Sequence, residues 1–103
     1  MKDGMRVDMN GSKGWYVKGK LHREDGPAVE YANGTKAWRF KGMVHRTDGP
    51  AVMWADRDPE WYVNDKKCYT NEEFQQAAGL TDEELIEIIL KYGPVNRRSP
   101  LWR

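Results

Sequence analysis

The residues whose types and spacing could do chemistry are two histidine–aspartate pairs. His22 lies three positions before Asp25, and His45 lies three positions before Asp48. A carboxylate can fix the tautomer of an imidazole, so each pair could act in acid–base catalysis or bind a metal ion. The alternative is structural: each His, with the Arg after it and the Asp, holds its own Asp-Gly-Pro turn by hydrogen bonds.

Both pairs belong to a stretch that occurs twice in the chain, at residues 19–29 and 42–52. If each copy adds two strands about 4.8 Å apart, equivalent histidines lie on the order of 10 Å apart. Ligands of one zinc ion lie about 2 Å from it, so the two histidines cannot easily share an ion. We therefore favour the structural alternative and expect no metal, no cofactor and no enzymatic activity. A small hydrolase that uses the His and Asp side chains is the rival hypothesis.

The single cysteine, Cys68, cannot form a disulfide within the chain. A cysteine nucleophile needs a base within hydrogen-bond reach, and no histidine lies near Cys68 in the sequence. The prediction is a half-buried cysteine on a strand.

Three tryptophans recur at a fixed interval, because Trp15, Trp38 and Trp61 lie 23 residues apart. Neighbouring side chains along a strand point to opposite faces, so this column and the residues beside it face different ways. We predict that the column belongs to the core. The predicted contact face is formed by side chains that point the other way: Tyr16 and Tyr62, with Ala37 in the equivalent position between them.

Turn residues separate the short apolar segments of each copy. Lys18-Gly19 and Lys41-Gly42 predict tight turns, and the two Asp-Gly-Pro segments predict wider ones. Asn10-Gly11 predicts a type I′ hairpin turn, in which both central residues have positive φ. The strands that it joins should lie near residues 6–9 and 14–18.

Two helices are predicted after the repeats. Thr70-Asn71-Glu72-Glu73 and Thr81-Asp82-Glu83-Glu84 each have the pattern of a capping box, and Gly79 and Gly93-Pro94 should end the helices. The second helix has an apolar face too wide to stay in water, which we expect to cover one end or one face of the sheet. This face consists of Leu85, Ile88, Ile89 and Tyr92, widened by Ile86 and Leu90.

The order of these elements predicts a mainly β chain with C-terminal α structure. We expect one antiparallel meander sheet of about six or seven strands, built from stacked 23-residue hairpin repeats and capped by two helices. The chain should form a single domain over residues 1–103, with repeats at 5–69, helices at 70–93 and a basic tail at 94–103. Five Trp and five Tyr can supply much of the core of so small a domain.

The unit Trp-x-x-x-Gly-x-x-His, followed by a turn and Tyr-x-Asn-Gly, resembles the MORN repeat. In this chain it reads Trp15, Gly19, His22 and then Tyr31-Ala32-Asn33-Gly34. The resemblance covers about residues 5–69 and looks closest to MORN-variant repeats of bacterial antitoxin-like proteins and of small phage proteins. An ordinary MORN repeat has Gly directly after the His, where this chain has Arg23 and Arg46. The resemblance implies a meander of stacked hairpins that contacts other proteins and has no catalytic role.

The net charge of +1 argues against a protein that binds nucleic acid through a strong positive field. Aromatic and basic residues nevertheless interleave along the repeats, so a single-stranded nucleic-acid binder is an alternative. The sequence shows no signal-peptide pattern and no apolar run of about 18 residues, so we expect a cytoplasmic protein that does not enter a membrane.

The preferred hypothesis is a non-catalytic protein–protein interaction module, such as a phage-encoded inhibitor or modulator of a host defence protein. The expected partner is a host or bacterial protein, and self-association is open because a sheet has unpaired edges. Replacing Arg23 and Arg46 together by Glu is expected to abolish partner capture without unfolding the domain. The predicted contact residues are His22, Arg23, His45, Arg46, Tyr16, Tyr62, Arg97, Arg98 and Trp102.

Overall fold

The chain folds into short antiparallel strands, because glycines and prolines interrupt it every few residues. The computed structural model describes residues 4–95. This part of the chain forms β1 (Gly4–Val7), β2 (Lys13–Val17), β3 (Lys20–Leu21), β4 (Val29–Glu30), β5 (Lys36–Ala37), β6 (Arg39–Phe40), β7 (Met43–Val44), β8 (Val52–Met53), β9 (Trp61–Val63), β10 (Lys66–Cys68), α1 (Asn71–Ala78) and α2 (Asp82–Tyr92). The predicted class, mainly β with two C-terminal helices, is confirmed.

The ten strands of residues 4–95 form three antiparallel sheets, so the expectation of one sheet with six or seven strands is wrong. The largest sheet has the order β1-β2-β4-β5-β8, with β3 also paired to β2, while β6–β7 and β9–β10 are separate hairpins. Trp38 lies between β5 and β6, where its N–H donates to the Ala51 carbonyl at 2.7 Å and its carbonyl accepts the His45 N–H at 3.0 Å. Trp15 makes the matching bonds with Ala28 and His22 from within β2.

Type I′ turns close three hairpins, at Lys18-Gly19, Lys41-Gly42 and Asn64-Asp65, where every central residue has a φ between 51° and 85°. The first two are the predicted tight turns. The type I′ turn predicted at Asn10-Gly11 is wrong, because Gly11 has positive φ and Asn10 does not. The loop between β1 and β2 spans five residues, too many for a two-residue turn. The two strands pair antiparallel as expected, but β1 lies two residues earlier than predicted.

The main core lies where the helices cover the third copy of the repeat. Trp61, Val63, Cys68 and Phe74 are buried together there, and the rings of Trp61 and Phe74 meet edge to face with centres 4.8 Å apart. Cys68 is only 5% exposed, so it is more deeply buried than predicted. This burial raises the pKa of the Cys68 thiol.

Both helices begin at the predicted residues. Thr81 and Glu84 form the complete capping box at the start of α2. At the start of α1 the Thr70 hydroxyl accepts the Glu73 N–H, but the Glu73 carboxylate accepts the N–H of Tyr69 at 2.7 Å rather than that of Thr70. The helices end, as predicted, at Gly79 and Gly93.

Only part of the apolar face of α2 is covered. Leu85, Ile88 and Tyr92 pack against the core, whereas Ile86 is 55% exposed and Leu90 is 81% exposed. The expectation that the widened face is covered is therefore wrong for these two residues, which lie one turn apart on a separate side of the helix. In the described part of the chain, no helix is both long and apolar enough to cross a membrane.

Candidate functional site

The repeat region is a thin layer that carries a groove on each face. The described residues span 45 × 31 × 20 Å. Adjacent residues of the chain line the two grooves, as expected from the alternation of side chains along a strand. The turn groove, of about 530 Å³, is lined by residues that include Arg23, Asp25, Trp38, His45, Arg46 and Asp48. The sheet groove, of about 540 Å³, is lined by residues that include Tyr31, Ala37, Arg39, Val52, Trp54 and Tyr62.

In the turn groove, Arg46 holds the second Asp-Gly-Pro turn. Its Nε donates to Asp48 Oδ1 at 2.8 Å, and its Nη1 donates to the Pro50 carbonyl at 3.1 Å. Its Cζ lies 3.9 Å from the ring centre of Trp38, so the guanidinium covers the indole. Its Nη2 donates to the hydroxyl of Tyr92 on α2 at 3.0 Å, which ties the repeat to the helices.

Arg23 makes the matching contacts 23 residues earlier. Its Nε donates to Asp25 at 3.0 Å, its Nη1 donates to the Pro27 carbonyl at 3.2 Å, and its Cζ lies 4.0 Å from the ring centre of Trp15. The side chains of Arg23 and Arg46 are only 26% and 11% exposed. Neither of these predicted contact residues extends freely into solvent, because each arginine lies flat on a tryptophan and reaches a carbonyl of its own turn. The prediction that Arg and Asp hold the turn is confirmed.

The arginines over Trp15 and Trp38 also bear on the prediction that the column of tryptophans belongs to the core. Trp61 is 1% exposed, as expected for a core column, but Trp15 and Trp38 are half-buried beneath guanidinium groups. The third copy of the repeat has Tyr69 in the position of these arginines, and the ring of Phe74 from α1 meets Trp61 edge to face. Trp15 and Trp38 therefore pack against a guanidinium group, whereas Trp61 packs against an aromatic ring.

The histidines join consecutive copies of the repeat. Nδ1 of His22 accepts the N–H of Lys41 at 2.8 Å, and Nδ1 of His45 accepts the N–H of Asn64 at 2.9 Å. Both donors are the first central residue of a type I′ turn, whose N–H has no partner within its own hairpin. The prediction that each histidine holds its own Asp-Gly-Pro turn is therefore wrong for Nδ1, which bonds the tight turn of the next copy in both histidines, whereas Nε2 of His22 contacts Glu24 at the start of its own wide turn.

The described histidines do not form the His–Asp pairs that catalysis would need. Nε2 of His22 lies 3.3 Å from Oε2 of Glu24, while Asp25 is bound by Arg23. Within residues 4–95, no group of three or more His, Cys, Asp and Glu side chains is placed to hold a metal ion. The geometry gives the histidines and aspartates of the turn groove contacts that hold the fold.

The sheet groove differs in chemistry because its lining is largely apolar. Ala37, Val44 and Val52 line it from three different strands, together with the rings of Tyr31, Trp54 and Tyr62. Apolar pockets with a few polar groups are the usual form of binding sites. The sheet groove is therefore the stronger candidate for a site that receives a ligand or a partner side chain.

Arg39 is the residue of this groove that sequence reasoning missed. It lies 23 residues from both Tyr16 and Tyr62, so Arg39, and not Ala37, occupies the equivalent position between them. The interval between the tryptophans was the signal that could have found it. Nη1 of Arg39 donates to the Gly42 carbonyl at 2.8 Å, while its Nε is buried without a hydrogen-bond partner.

Trp54 carries a second buried N–H donor without a partner. Among residues 4–95, its indole Nε1 and Arg39 Nε are the two buried side-chain nitrogen or oxygen atoms that lack a hydrogen-bond partner. The guanidinium of Arg57 lies over its ring, with Cζ 4.5 Å from the ring centre. Buried polar groups in folded proteins nearly always have partners, so these two donors give the residues of one groove unused capacity to bind a hydrogen-bond acceptor.

Glu60 and Tyr62 form a hydrogen bond with each other on the lining of this groove. The Tyr62 hydroxyl donates to Glu60 at 3.4 Å, and Lys67 Nζ donates to the other carboxylate oxygen at 3.3 Å. Burial raises the pKa of Tyr62, and the neighbouring Glu60 charge raises it further. The phenol is therefore protonated at neutral pH and remains a hydrogen-bond donor.

The remaining predicted contact residues are two tyrosines of the repeats and three residues of the C-terminal tail. Tyr16 and Tyr62 are half-buried rather than exposed, and the guanidinium of Arg6 lies over the Tyr16 ring at 4.1 Å. Arg97, Arg98 and Trp102 lie outside the described residues.

Comparison of the sequence with protein-family models, with curated proteins and with solved structures gives no match. The resemblance to MORN repeats therefore stays a prediction. The arginine and histidine contacts nevertheless recur at 23-residue spacing in this chain, whatever family it belongs to.

Proposed function

We propose that this chain is a non-catalytic module that binds another protein through the sheet groove. A groove of about 540 Å³ with apolar walls and two unpartnered donors is the observation that carries the proposal. Interfaces draw most of their energy from a few anchor side chains that enter such pockets, with aromatic and arginine residues prominent among them. Tyr31, Trp54, Tyr62 and Arg39 supply these residue types here.

The contacts between copies of the repeat support this proposal, because they hold the groove in shape before a partner arrives. Hydroxyls join neighbouring copies: Ser12 Oγ accepts the Ala32 N–H, and Thr35 Oγ1 accepts the Ala55 N–H. Backbone bonds add to them, such as the one from the Gly42 N–H to the Leu21 carbonyl at 2.8 Å. A site that is already ordered loses less conformational entropy when it binds, so its contacts contribute more to affinity.

The proposal includes the setting in which the module acts. Its repeats are of the MORN-like kind, it acts in the cytoplasm, and its partner is a bacterial protein. The specific hypothesis is a phage-encoded inhibitor or modulator of a host defence protein. Nucleic acid and a second copy of the chain are the competing partners, and the experiment separates them.

A photo-cross-linking residue distinguishes these partners. Tyr31 lines the groove and is 46% exposed, so p-benzoylphenylalanine placed there should cross-link to a partner in bacterial lysate. Tyr69 is 64% exposed and does not line the groove, so the same residue there is the matched control. The expected result is one bacterial protein that is cross-linked from position 31 alone, survives nuclease treatment and is lost in a Trp54→Ala variant.

Three results contradict the proposal. Cross-links from position 31 that disappear with nuclease indicate nucleic acid, and cross-links to the chain itself indicate self-association. Equal cross-linking from positions 31 and 69 means that the sheet groove does not select the partner.

A further inference from the structure

We propose that the sheet groove recognises an acidic anchor, that is, an Asp or Glu side chain of the partner with apolar residues beside it. This inference rests on the proposed function, because it assumes that the occupant is a segment of another protein. It adds the chemistry by which the groove selects that segment.

The first argument is the unpaired charge of Arg39. Arg23, Arg46 and Arg57 each have an aspartate within 3.2 Å. Arg39 is half-buried, yet in the described part of the chain no carboxylate lies within ion-pair distance of it. A charge that is partly removed from water without a counter-charge is unfavourable, and an anion beside it relieves that cost.

The second argument is the geometry of the Arg39 guanidinium. Among residues 4–95, Nη1 is the one nitrogen of this group with a hydrogen-bond partner, the Gly42 carbonyl. In the same part of the chain, Nε and Nη2 have no acceptor, and Nη2, unlike Nε, is not buried, so a carboxylate oxygen that enters the groove can bind Nη2. A carboxylate is the charged acceptor with which arginine forms its strongest hydrogen bonds.

The third argument comes from Trp54, whose indole N–H is a donor and cannot accept a hydrogen bond. The unpartnered groups on two residues that line the groove are both donors, so they favour an acceptor, and not a donor, as the polar group of the occupant. The walls formed by Ala37, Val44 and Val52 offer apolar contact, so the acceptor should be carried on an apolar segment.

The carboxylate already present in the groove does not supply this acceptor. Glu60 lies in ion-pair contact with Lys67 at 3.3 Å and accepts the Tyr62 hydroxyl. Its charge is thus balanced within its own neighbourhood. Arg39 is left as the cation that a partner can neutralise.

Two short blocked peptides test the inference on the full chain. The probes are acetyl-Leu-Glu-Phe-amide and acetyl-Leu-Gln-Phe-amide, which differ in charge and hardly in shape. In ¹⁵N-labelled protein, the side-chain N–H signals of Arg39 and Trp54 should shift in a saturable way with the Glu peptide. We expect the Gln peptide to bind at least tenfold more weakly, because a charge-assisted pair is replaced by a neutral contact.

Variants assign the effect to single groups. Arg39→Gln should remove the preference for the Glu peptide, and Trp54→Phe should weaken binding while keeping a ring in place. Arg57→Gln is the matched control, because Arg57 also contacts Trp54 but is 60% exposed and paired with Asp56. The thermal midpoint of each variant is measured first. If Arg39→Gln does not fold, the comparison of the two peptides on the unaltered chain still tests the inference of an acidic anchor.

Each outcome has one meaning. Equal binding of both peptides in the groove overturns the acidic anchor and leaves the proposed function standing. Shifts in neither Arg39 nor Trp54 with either peptide also overturn it. If free 3-phenylpropanoate binds as tightly as the Glu peptide and position 31 cross-links to no protein, the groove holds small acids and the proposed function fails with it.

Discussion

Replacing Arg46 by methionine should destabilise the fold much more than the same change at Arg23. Methionine keeps an apolar stem over Trp38 but removes the charge and every donor. The Arg46 side chain is 11% exposed, and its loss removes the hydrogen bonds that it donates to the Pro50 carbonyl and to the Tyr92 hydroxyl. The variant therefore breaks the contact through which the second repeat holds α2.

The magnitude follows from the contacts. Two hydrogen bonds from a charged donor contribute about 1.5 kcal/mol each at the low end of their range, and the cation over the indole adds about 0.5–1 kcal/mol. Asp48 is 81% exposed, so its ion pair adds nothing to the sum. The total for Arg46→Met is about 3.5–4 kcal/mol, or a fall in Tm of roughly 15–30 °C. Arg23 lacks the contact with α2 and is 26% exposed, which reduces its total to about 2 kcal/mol.

The assay is urea and thermal unfolding followed by tryptophan fluorescence, with Arg57→Met as a control that should change the free energy of unfolding by less than about 0.5 kcal/mol. A Tyr92→Phe background should reduce the cost of Arg46→Met by about 1.5 kcal/mol, which isolates the contact with the helix. Equal costs at Arg23 and Arg46, or no loss at either, would refute the reasoning. Replacing both arginines by Glu is expected to unfold the domain, so loss of partner capture in that variant would not locate an interface.

Three further changes test other contacts. His45→Ala leaves the Asn64 N–H without its acceptor and should lower the free energy of unfolding by about 1–2 kcal/mol in urea; an unchanged midpoint would show that the bond between copies adds nothing. Gly49→Ala places a Cβ 2.8 Å from Arg46 Cζ and 2.9 Å from the Tyr92 ring, so it should destabilise by about 1–3 kcal/mol, more than Gly26→Ala, where the nearest atom is 3.1 Å away; equal thermal midpoints would argue against this crowding. Burial raises the pKa of Cys68, so the unfolded thiol ionises first as the pH passes about 8.5 and stability falls above that pH; urea titrations should show a smaller fall in Cys68→Ala, and equal slopes in the two proteins would contradict the assignment.

Local signals in the sequence predicted much of the fold because they act over a few residues. The capping box at Thr81-Asp82-Glu83-Glu84 and the glycines after each helix fix where the helices begin and end. The Lys-Gly pairs form tight turns because glycine tolerates positive φ at the second position, and the lysine before it adopts a φ of 51° in both. Such features need no knowledge of the rest of the molecule.

Contacts between copies of the repeat were harder to predict. The rings of His22 and His45 could be assigned to their own turns or to neighbouring ones, and only the three-dimensional stacking shows that they reach the next copy. The loop at Asn10-Gly11 departs from its type I′ signal because Asp8 Oδ1 accepts the N–H groups of Asn10 and Ser12 and so holds a longer turn. Side-chain hydrogen bonds of this kind compete with the turn that a dipeptide favours by itself.

The position of Arg39 shows how a repeat can point to a functional residue. A contact that recurs in the first two copies, such as the arginine over each of Trp15 and Trp38, is explained by stacking the copies together. Arg39 breaks the pattern, because tyrosine occupies the matching position in both neighbouring copies. Its guanidinium has no ion pair within residues 4–95, so folding alone does not account for a charge at that place. A guanidinium that makes one hydrogen bond to its own tight turn but no ion pair within residues 4–95, set in an apolar groove beside a second unpartnered donor, is best explained by an anion that arrives from outside the chain.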